Sequence, residues 1–205
     1  MRALPASGVA VSLVAENGVR GLAAASDPLI AELEELQYTI GEGPSIEAYT
    51  SRRPVLAPDM ADGAMTRWPG YAPAAHDQGV RAVFAFPLHV GAVRLGVLDV
   101  YRHRSGSLSD DSLVQALTFA EVAVQTLLDG QEEAPAGHLS DGLDRALDSR
   151  VALYQAQGMV MVDLGVPIAD AMARLRAYAY AVGLPLHDVA REVVEGRLRL
   201  DRDSP

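Results

Sequence analysis

The side chains best suited to binding chemistry lie in the last quarter of the chain. These candidates are Arg150, Gln157, Arg174, Arg176, Tyr178 and Arg191. Arg150 and Gln157 are seven residues apart and share a helix face, whereas Arg176 points about 200 degrees away from Arg174 on a helix. Arginines with a nearby amide and tyrosine can contact phosphates, stack on unpaired bases and read base edges. The alternative is a solvated helix face.

A second set of candidates lies in the first two thirds of the chain. Trp68, Tyr71, Phe84 and Phe86 supply aromatic area that could line a ligand pocket. Asp99 interrupts an apolar strand pattern, so its carboxylate could face a ligand cavity. Core packing is the commoner use of such aromatic residues, and a polar strand residue can also face solvent. Both interpretations stay open for these five residues.

The sequence lacks the groupings that covalent or metal chemistry needs. It contains no cysteine, which excludes thiolate sites, and His76, His89 and His103 do not have the spacing of metal ligands. The segment 41–44 is glycine-rich but lacks the lysine of a phosphate-binding loop. Ser45 has no convincing base partner. We therefore expect no enzyme activity, no catalytic residue, no metal site and no cofactor.

Composition and charge indicate a globular protein with an unevenly distributed acidity. Of the 205 residues, 49% are hydrophobic and 21% charged, with a net charge of -10. Residues 1–143 contain 9 arginines and 18 acidic residues, whereas residues 144–199 contain 7 of each. No apolar run reaches membrane-spanning length, and the alternation after Val9 suits a strand better than a signal peptide. We expect a cytoplasmic protein with no membrane segment.

The first part of the chain has the pattern of an α+β domain. Strands are predicted from Val9 to Glu16 and from Val19 to Ala25, with a hairpin turn at Asn17-Gly18 between them. The further predicted elements are a helix from Asp27, as its cap, to about Gln37, a short helix from Ser45, strands at Val55-Leu56, Val80–Val90 and Val93–Tyr101, and a helix from Ser109 to about Leu128. Such an order predicts a sheet flanked by helices, not a doubly wound parallel sheet.

The pattern of the chain after about residue 140 predicts a bundle of three helices. The first begins near Ser140 or Asp141 and ends at Gly165; the second runs from Pro167 to Gly183, and the third begins at Pro185. Each apolar stripe is too narrow for an isolated helix, so the three must pack together. The glycine, proline and charge of residues 130–142 mark a seam. We predict domains at 1–130 and 141–199, with a linker at 131–140.

Two stretches of the sequence resemble known families. Arg150, the run Gln155-Ala156-Gln157-Gly158-Met159-Val160-Met161 and the later Leu175-Arg176 and Val189-Ala190 resemble an ANTAR domain, an RNA-binding antiterminator module of bacterial regulators. The segments IGEGPSIEAYTSRRPVLAPDM, RWPGYAPAAHDQGVRAVFAFPLHVG and VRLGVLDVYRHRSGSLSDDSL resemble a GAF sensor domain of the actinobacterial kind.

These resemblances imply a fold and a function. The fold is a GAF-like antiparallel sheet flanked by helices, followed by a three-helix ANTAR bundle. The function is that of a homodimer whose ANTAR domains bind paired stem-loops in a leader RNA, so that a terminator does not form. Arg150, Gln157, Arg174 and Arg176 fall where the family places or surrounds RNA-contacting side chains. The GAF domain would receive a signal, which could be an unknown small molecule.

A second function remains open from the sequence. Gln157 stands where ANTAR domains usually have lysine, and Gly183-Leu184-Pro185 replaces a more polar or basic turn. Fewer cations mean fewer phosphate contacts and a weaker dependence of binding on salt. The alternative is therefore a helical bundle that dimerises or docks a protein partner without binding RNA.

Overall fold

The computed structural model describes residues 4–14, 20–133 and 141–201, with side chains for all of these except 20, 130–133 and 141–150. Five strands form one antiparallel sheet in the order β2-β1-β5-β4-β3. The strands are β1 Gly8–Val14, β2 Arg20–Ala25, β3 Val55–Ala57, β4 Ala82–Val90 and β5 Val93–Arg102. The helices are α1 Pro28–Ile40, α2 Pro44–Ser51, α3 Ala64–Arg67, α4 Tyr71–Asp77, α5 Asp110–Glu133, α6 Asp141–Leu164, α7 Ile168–Val182 and α8 Leu186–Val194.

Alternation along the two central strands gives the sheet an apolar core on each face. Val83 and Ala85 of β4 belong to a core shared with α1, α2 and α4. Phe84 and Phe86 point the other way, into a core covered by α5, because successive strand residues face opposite sides of a sheet. In register, Ala85 pairs with Asp99 of β5. The predicted α+β domain is therefore confirmed.

Helix α1 begins and ends at residues that explain its limits. The Asp27 carboxylate accepts a hydrogen bond from the Ile30 amide at 3.1 Å, and Pro28 occupies the first helical position. The helix continues past the expected end at Gln37 and stops at Gly41, whose φ of 81° is left-handed. The glycine, which has no Cβ to oppose this conformation, is thus the residue that ends the helix.

Other boundaries differ from the sequence expectation in ways with a local cause. The short helices α3 and α4 were not predicted, because four and seven residues are too few to show a helical period. Glu42 Oε1 accepts from the amides of Gly70 and Tyr71 at 2.5 and 3.0 Å and so caps α4. β1 and β2 pair in antiparallel fashion as predicted, but the turn residues Asn17-Gly18 lie outside the described residues, as does the predicted linker beyond Glu133.

Helices α6, α7 and α8 form the expected second unit with its own core. Side chains from all three helices are buried against one another: Leu153, Ala156, Val160, Leu164, Ala171, Leu175, Ala179, Leu186, Val189, Ala190 and Val193. Gly165 and Gly183 adopt φ values of 64° and 66° at the two turns, where left-handed backbone favours glycine. The bundle and the sheet domain touch: α6 lies next to β2, and α7 and α8 lie next to α1.

Membrane-spanning potential is limited to one marginal case. Within residues 4–14, 20–133 and 141–201, no single helix is long and apolar enough to cross a bilayer. Val151–Leu164 and Ile168–Val182 satisfy the test of length and composition only when taken together, as a pair bent by 107°.

Candidate ligand face and RNA interface

The five predicted ligand-binding residues are all buried, but they do not line one pocket. Trp68 and Tyr71 pack in the core between the sheet and α1, α2 and α4. Asp99 is fully buried and, being opposite Ala85, points to the same face. Phe84 and Phe86 lie on the other face, against α5. The sheet lies between these two groups, so the prediction of one pocket shared by all five residues is corrected. Only Trp68, Tyr71 and Asp99 lie on the same face.

The face that holds Asp99 also carries a buried polar network that the sequence analysis missed. The Tyr101 hydroxyl donates to Glu34 Oε1 at 2.6 Å, and Ser12 Oγ donates to Glu34 Oε2 at 2.6 Å. Gln37 Nε2 lies 3.1 Å from the Tyr101 oxygen and 3.3 Å from Glu34 Oε1. Tyr71 completes the chain through its hydroxyl, 3.4 Å from that of Tyr101. Strands β1 and β5 and helices α1 and α4 thus meet at one network.

A second branch of this network reaches the predicted residue Asp99. Gln37 Oε1 accepts from the Ser45 amide at 2.9 Å, and Ser45 Oγ donates to Asp99 Oδ2 at 2.6 Å. From sequence, Ser45 is expected to begin a short helix and has no base partner that would make it a nucleophile. In the fold its hydroxyl is a donor to a buried carboxylate, which satisfies part of the hydrogen-bonding capacity that burial would otherwise leave unmet.

Electrostatics keep the two tyrosines of the network protonated. Burial raises the pKa of Tyr71 and of Tyr101 well above the ordinary tyrosine value, and the neighbouring Glu34 carboxylate raises both further. A neutral hydroxyl is a donor, so Tyr101 remains able to bond Glu34 across the usual pH range. The signal that could have revealed this network is the placement of Glu34 and Gln37 on the apolar face of α1, beside Ile30 and Leu33.

A shallow groove opens beside the network, between the sheet edge and α1. It measures about 20 Å³ and is lined by Ser12, Gly21, Leu22, Glu34, Glu35 and Tyr38. That is roughly the space for a single water molecule. Among the described residues there is no group of three or more histidine or acidic side chains arranged to hold a metal ion.

The predicted RNA-contacting residues fall into different environments. Gln157 is 7% exposed and its Nε2 donates to the carbonyl oxygen of Ile168 at 2.8 Å, which ties α6 to α7. The prediction that its amide faces RNA is therefore corrected: the group already has a partner inside the bundle. The side chain of Arg150 lies outside those that the structure describes.

The other predicted residues remain nearer the surface. Arg174 and Tyr178 are partly exposed, and Tyr178 packs against the core of the bundle. Arg191 is exposed and its Nη1 lies 3.4 Å from Asp188 Oδ1. Arg197, just beyond α8, forms ion pairs with Glu192 and Glu195. Arg191 and Arg197 thus each lie against acidic side chains of the bundle.

Arg176 is partly buried and lies against the sheet domain. Its guanidinium carbon lies 6.0 Å from the centroid of the Tyr38 ring on α1. Nearby, His187 Nδ1 of α8 lies 3.3 Å from Glu35 Oε1 of α1. The bond to Glu35 raises the pKa of His187 above its usual value, since a carboxylate favours the charged imidazole. Two side chains of the bundle therefore engage the same face of α1.

Comparisons with known proteins identify both parts of the chain. A family model described as GAF domain matches residues 1–128, and one described as ANTAR domain matches residues 141–194. A search of curated protein sequences finds no match.

Solved structures resemble the first part of the chain. A domain of a protein from Sinorhizobium meliloti, assigned as a two-component sensor histidine kinase, has 21% identity and a TM-score of 0.51, covering 63% of this chain and 84% of its own. The GAF domain of a phosphoenolpyruvate-protein phosphotransferase from Coxiella burnetii has 16% identity and a TM-score of 0.48, covering 64% and 77%. At such identities the first match shows the fold alone.

Proposed function

Since the chain belongs to the GAF domain family and carries an ANTAR domain after the sensor, we propose that it binds paired stem-loops in leader RNAs and so prevents transcription termination. The main support for this proposal is the order of the two domains: the GAF model matches residues 1–128 and the ANTAR model matches residues 141–194. A sensor-regulator of this kind would act in the cytoplasm, where nascent leaders are made, and would need no catalytic group or bound cofactor.

The exposed basic side chains of the bundle support an RNA contact. Arg174 shares a helix face with Tyr178, and both are partly exposed on α7. Arg191 and Arg199 are exposed on α8 and just beyond it. Guanidinium groups bind phosphate oxygens through paired donors, and a tyrosine ring offers a surface for an unpaired base. Affinity should therefore fall as salt concentration rises.

Pairing of stem-loops favours a homodimer, and α5 offers a face for a second copy. Val114 is 62% exposed and Val122 55% exposed, with Leu117 and Leu128 also exposed on the same helix. These side chains are spread along a helix of 24 residues, and packing the same helix of a second copy against them would remove apolar area from water. Light scattering tests this: Val122→Arg should yield monomer, whereas Val93→Arg, at another exposed valine, should not.

The GAF domain is proposed to take a small polar signal molecule on the face that contains Asp99. Ser45, Gln37 and Glu34 fill the interior there with hydroxyl, amide and carboxylate groups that bond one another. A ligand that replaced some of these internal hydrogen bonds would loosen the tie between α1 and the sheet.

Fluorescence anisotropy with a labelled RNA of two stem-loops tests the proposed function. The full chain should bind this RNA with an affinity that decreases with salt, and Arg174→Ala should weaken binding while leaving the circular dichroism spectrum unchanged. Arg104→Ala, at an exposed arginine of the sheet domain, is the control and should bind normally. Readthrough of a terminator in a purified transcription reaction then tests antitermination. Absence of salt-sensitive binding would exclude the proposal.

One observation favours the second function, a bundle that dimerises or docks a protein. Residues 151–201 contain five arginines and six acidic residues, and Arg191 and Arg197 already have acidic partners. A ligand bound only by the folded chain raises its apparent stability. An unchanged melting temperature in excess RNA, together with a stable dimer, would support this second function.

A further inference from the structure

Helix α1 of the sheet domain presents a contact surface to the ANTAR bundle. We call Glu35, Tyr38 and Gly41 the α1 docking surface. The Arg176 guanidinium carbon lies 6.0 Å from the centre of the Tyr38 ring, which is at the limit of a cation–π contact. Tyr38 also packs against the core of the bundle, and His187 reaches Glu35 at 3.3 Å. The surface thus combines aromatic, apolar and ionic contacts.

Gly41, which has no side chain, leaves room for Arg176 on this surface. A Cβ atom added to Gly41 would lie 2.8 Å from Arg176 Nη1, closer than side chains approach one another. The glycine also has a φ of 81° as the residue that ends α1. One position therefore ends the helix in a left-handed conformation and leaves open the space that the guanidinium fills.

The end of α1 attracts a positive charge by its own electrostatics. The last carbonyl groups of a helix carry a partial negative charge, and the last turn of α1 contains no basic residue. Arg176, which belongs to the other domain, supplies the cation at this end. The contact is therefore electrostatically favourable for both domains.

The contact with α1 leaves one hydrogen-bond donor of Arg176 without an acceptor. Its Nε atom is buried, and no acceptor among the described residues lies within hydrogen-bonding distance of it. Burying a donor without an acceptor costs free energy. A phosphate oxygen would satisfy this donor, so the α1 docking surface holds the guanidinium less well than a phosphate would.

We propose that the α1 docking surface and RNA compete for Arg176. In the closed arrangement described here Arg176 is half-buried against the GAF domain, and the bundle must separate from α1 before the buried Nε can reach a phosphate. Arg174 lies about 200 degrees around the same helix, so contacts through Arg174 do not require separation. The inference rests on the proposed RNA-binding function and adds that the sensor domain reduces RNA affinity by occupying one of its contacts.

A charge reversal on α1 tests the competition in the full chain. Glu35→Arg places a cation opposite His187 and should open the contact, whereas Glu32→Arg makes the same change of charge at an exposed position of the same helix. Glu35→Arg should bind the two-stem-loop RNA about fivefold or more tightly than Glu32→Arg, as for a modest coupling between domains. Adding Arg176→Ala to Glu35→Arg should abolish that gain.

Separation of the domains is measured independently of affinity. Because the chain has no cysteine, Asp77→Cys and Val162→Cys, both at exposed positions, provide unique sites for spin labels. Pulsed electron resonance should show a longer or broader distance distribution for Glu35→Arg than for Glu32→Arg, and the same change on addition of RNA to the otherwise unmodified chain.

The outcomes separate the inference from the function on which it rests. If the unmodified chain binds RNA but Glu35→Arg and Glu32→Arg bind equally, the competition is refuted and the function stands. A gain that persists in the Glu35→Arg, Arg176→Ala chain would show that it does not depend on Arg176 and would also refute the competition. If no variant binds RNA, both the function and the inference fail.

Discussion

The hydroxyl of Tyr101 lies 2.6 Å from Glu34 Oε1, so that a residue of β5 and a residue of α1, 67 positions apart, share one buried hydrogen bond. Glu34 is 4% exposed and Tyr101 is fully buried. A carboxylate removed from water needs several donors, and Ser12, Gln37 and Tyr101 provide them. This hydrogen bond thus connects α1 to the sheet in the interior of the sensor domain.

Removing that hydroxyl should destabilise the sensor domain. Tyr101→Phe leaves a buried carboxylate oxygen with a weaker set of donors, and we expect the free energy of unfolding to fall by roughly 1 to 3 kcal/mol. Urea denaturation followed by circular dichroism measures it. Tyr180→Phe removes a hydroxyl from a side chain that is 61% exposed and is the matched control. Equal stability of the two variants would contradict the assigned role.

Gln157 is expected to matter for the stability of the bundle. Gln157→Ala removes the bond from Nε2 to the Ile168 carbonyl and should lower the unfolding free energy by about 1 kcal/mol. Gln155→Ala, at an exposed position of the same helix, should change it by less than about 0.5 kcal/mol. Thermal melts of both variants make the comparison; a stable Gln157→Ala chain with weakened RNA binding would instead return Gln157 to the RNA interface.

The contact between α8 and α1 should weaken as pH rises. The pKa of His187 is raised chiefly by its bond to Glu35; burial opposes this, the charges of Glu35 and Asp188 raise the pKa further, and Arg191 lowers it slightly. The ionised pair therefore contributes fully below about 6.5, the usual histidine value, and its contribution is lost as pH rises through the raised pKa. The spin-label distance should lengthen over that range.

A titration of the His187 ring by nuclear magnetic resonance checks the cause of this pH dependence. In Glu35→Gln the pKa should return towards its usual value, and the change in distance with pH should diminish. Glu32→Gln should leave the titration unaltered. A titration of His187 that is the same in all three chains would show that Glu35 does not hold the imidazolium.

Gly96 should tolerate no side chain. A Cβ at this position would lie 2.0 Å from the carbonyl oxygen of Ser12 on the neighbouring strand β1, and two paired backbones cannot separate without breaking their ladder. Gly96→Ala should therefore destabilise the sheet by about 1 to 3 kcal/mol or more. Denaturant titration measures the loss, and unchanged stability would mean that β1 and β5 are not paired in this register.

Gly158 should behave in the opposite way and serves as a contrast. It lies inside α6, and nothing comes within 4 Å of a Cβ added there. Gly158→Ala should raise the stability of the bundle by roughly 0.5 to 1 kcal/mol, because alanine loses less conformational freedom in a helix. A melting curve shifted to lower temperature would indicate that the glycine is needed for close packing.

Local patterns predicted much of the architecture. Asp27 and Pro28 predicted the start of α1, and Gly165 and Gly183 predicted the two turns of the bundle. Capping and turn preferences act over only a few residues, so they can be read from the sequence. Alternation likewise placed β4 and β5. Strict alternation from the pair Val90 and Val93 would have put Phe84 opposite Asp99, on one face of the sheet. The register shift between Leu88 and His89 places them on opposite faces instead, and alternation alone does not predict such a shift.

Local sequence patterns could not predict contacts between residues that are far apart in the chain. The sequence shows Glu34 on an apolar helix face but not which donors, many residues away, meet it there. Similarly, Arg176 has a residue type suited to RNA, and only the folded chain shows that Tyr38 and Gly41 of another domain lie against it. Such pairings depend on tertiary structure, which residue type and local spacing do not specify.

The position of α6 beside β2 has a consequence for solubility. β2 is an outer strand of the sheet, and outer strands offer unpaired amide and carbonyl groups to other chains. At the opposite edge β3 has only three residues and offers little to pair with. A chain whose bundle moved away from the sensor domain would expose more of β2, so the open form should be the more prone to associate with another chain strand to strand.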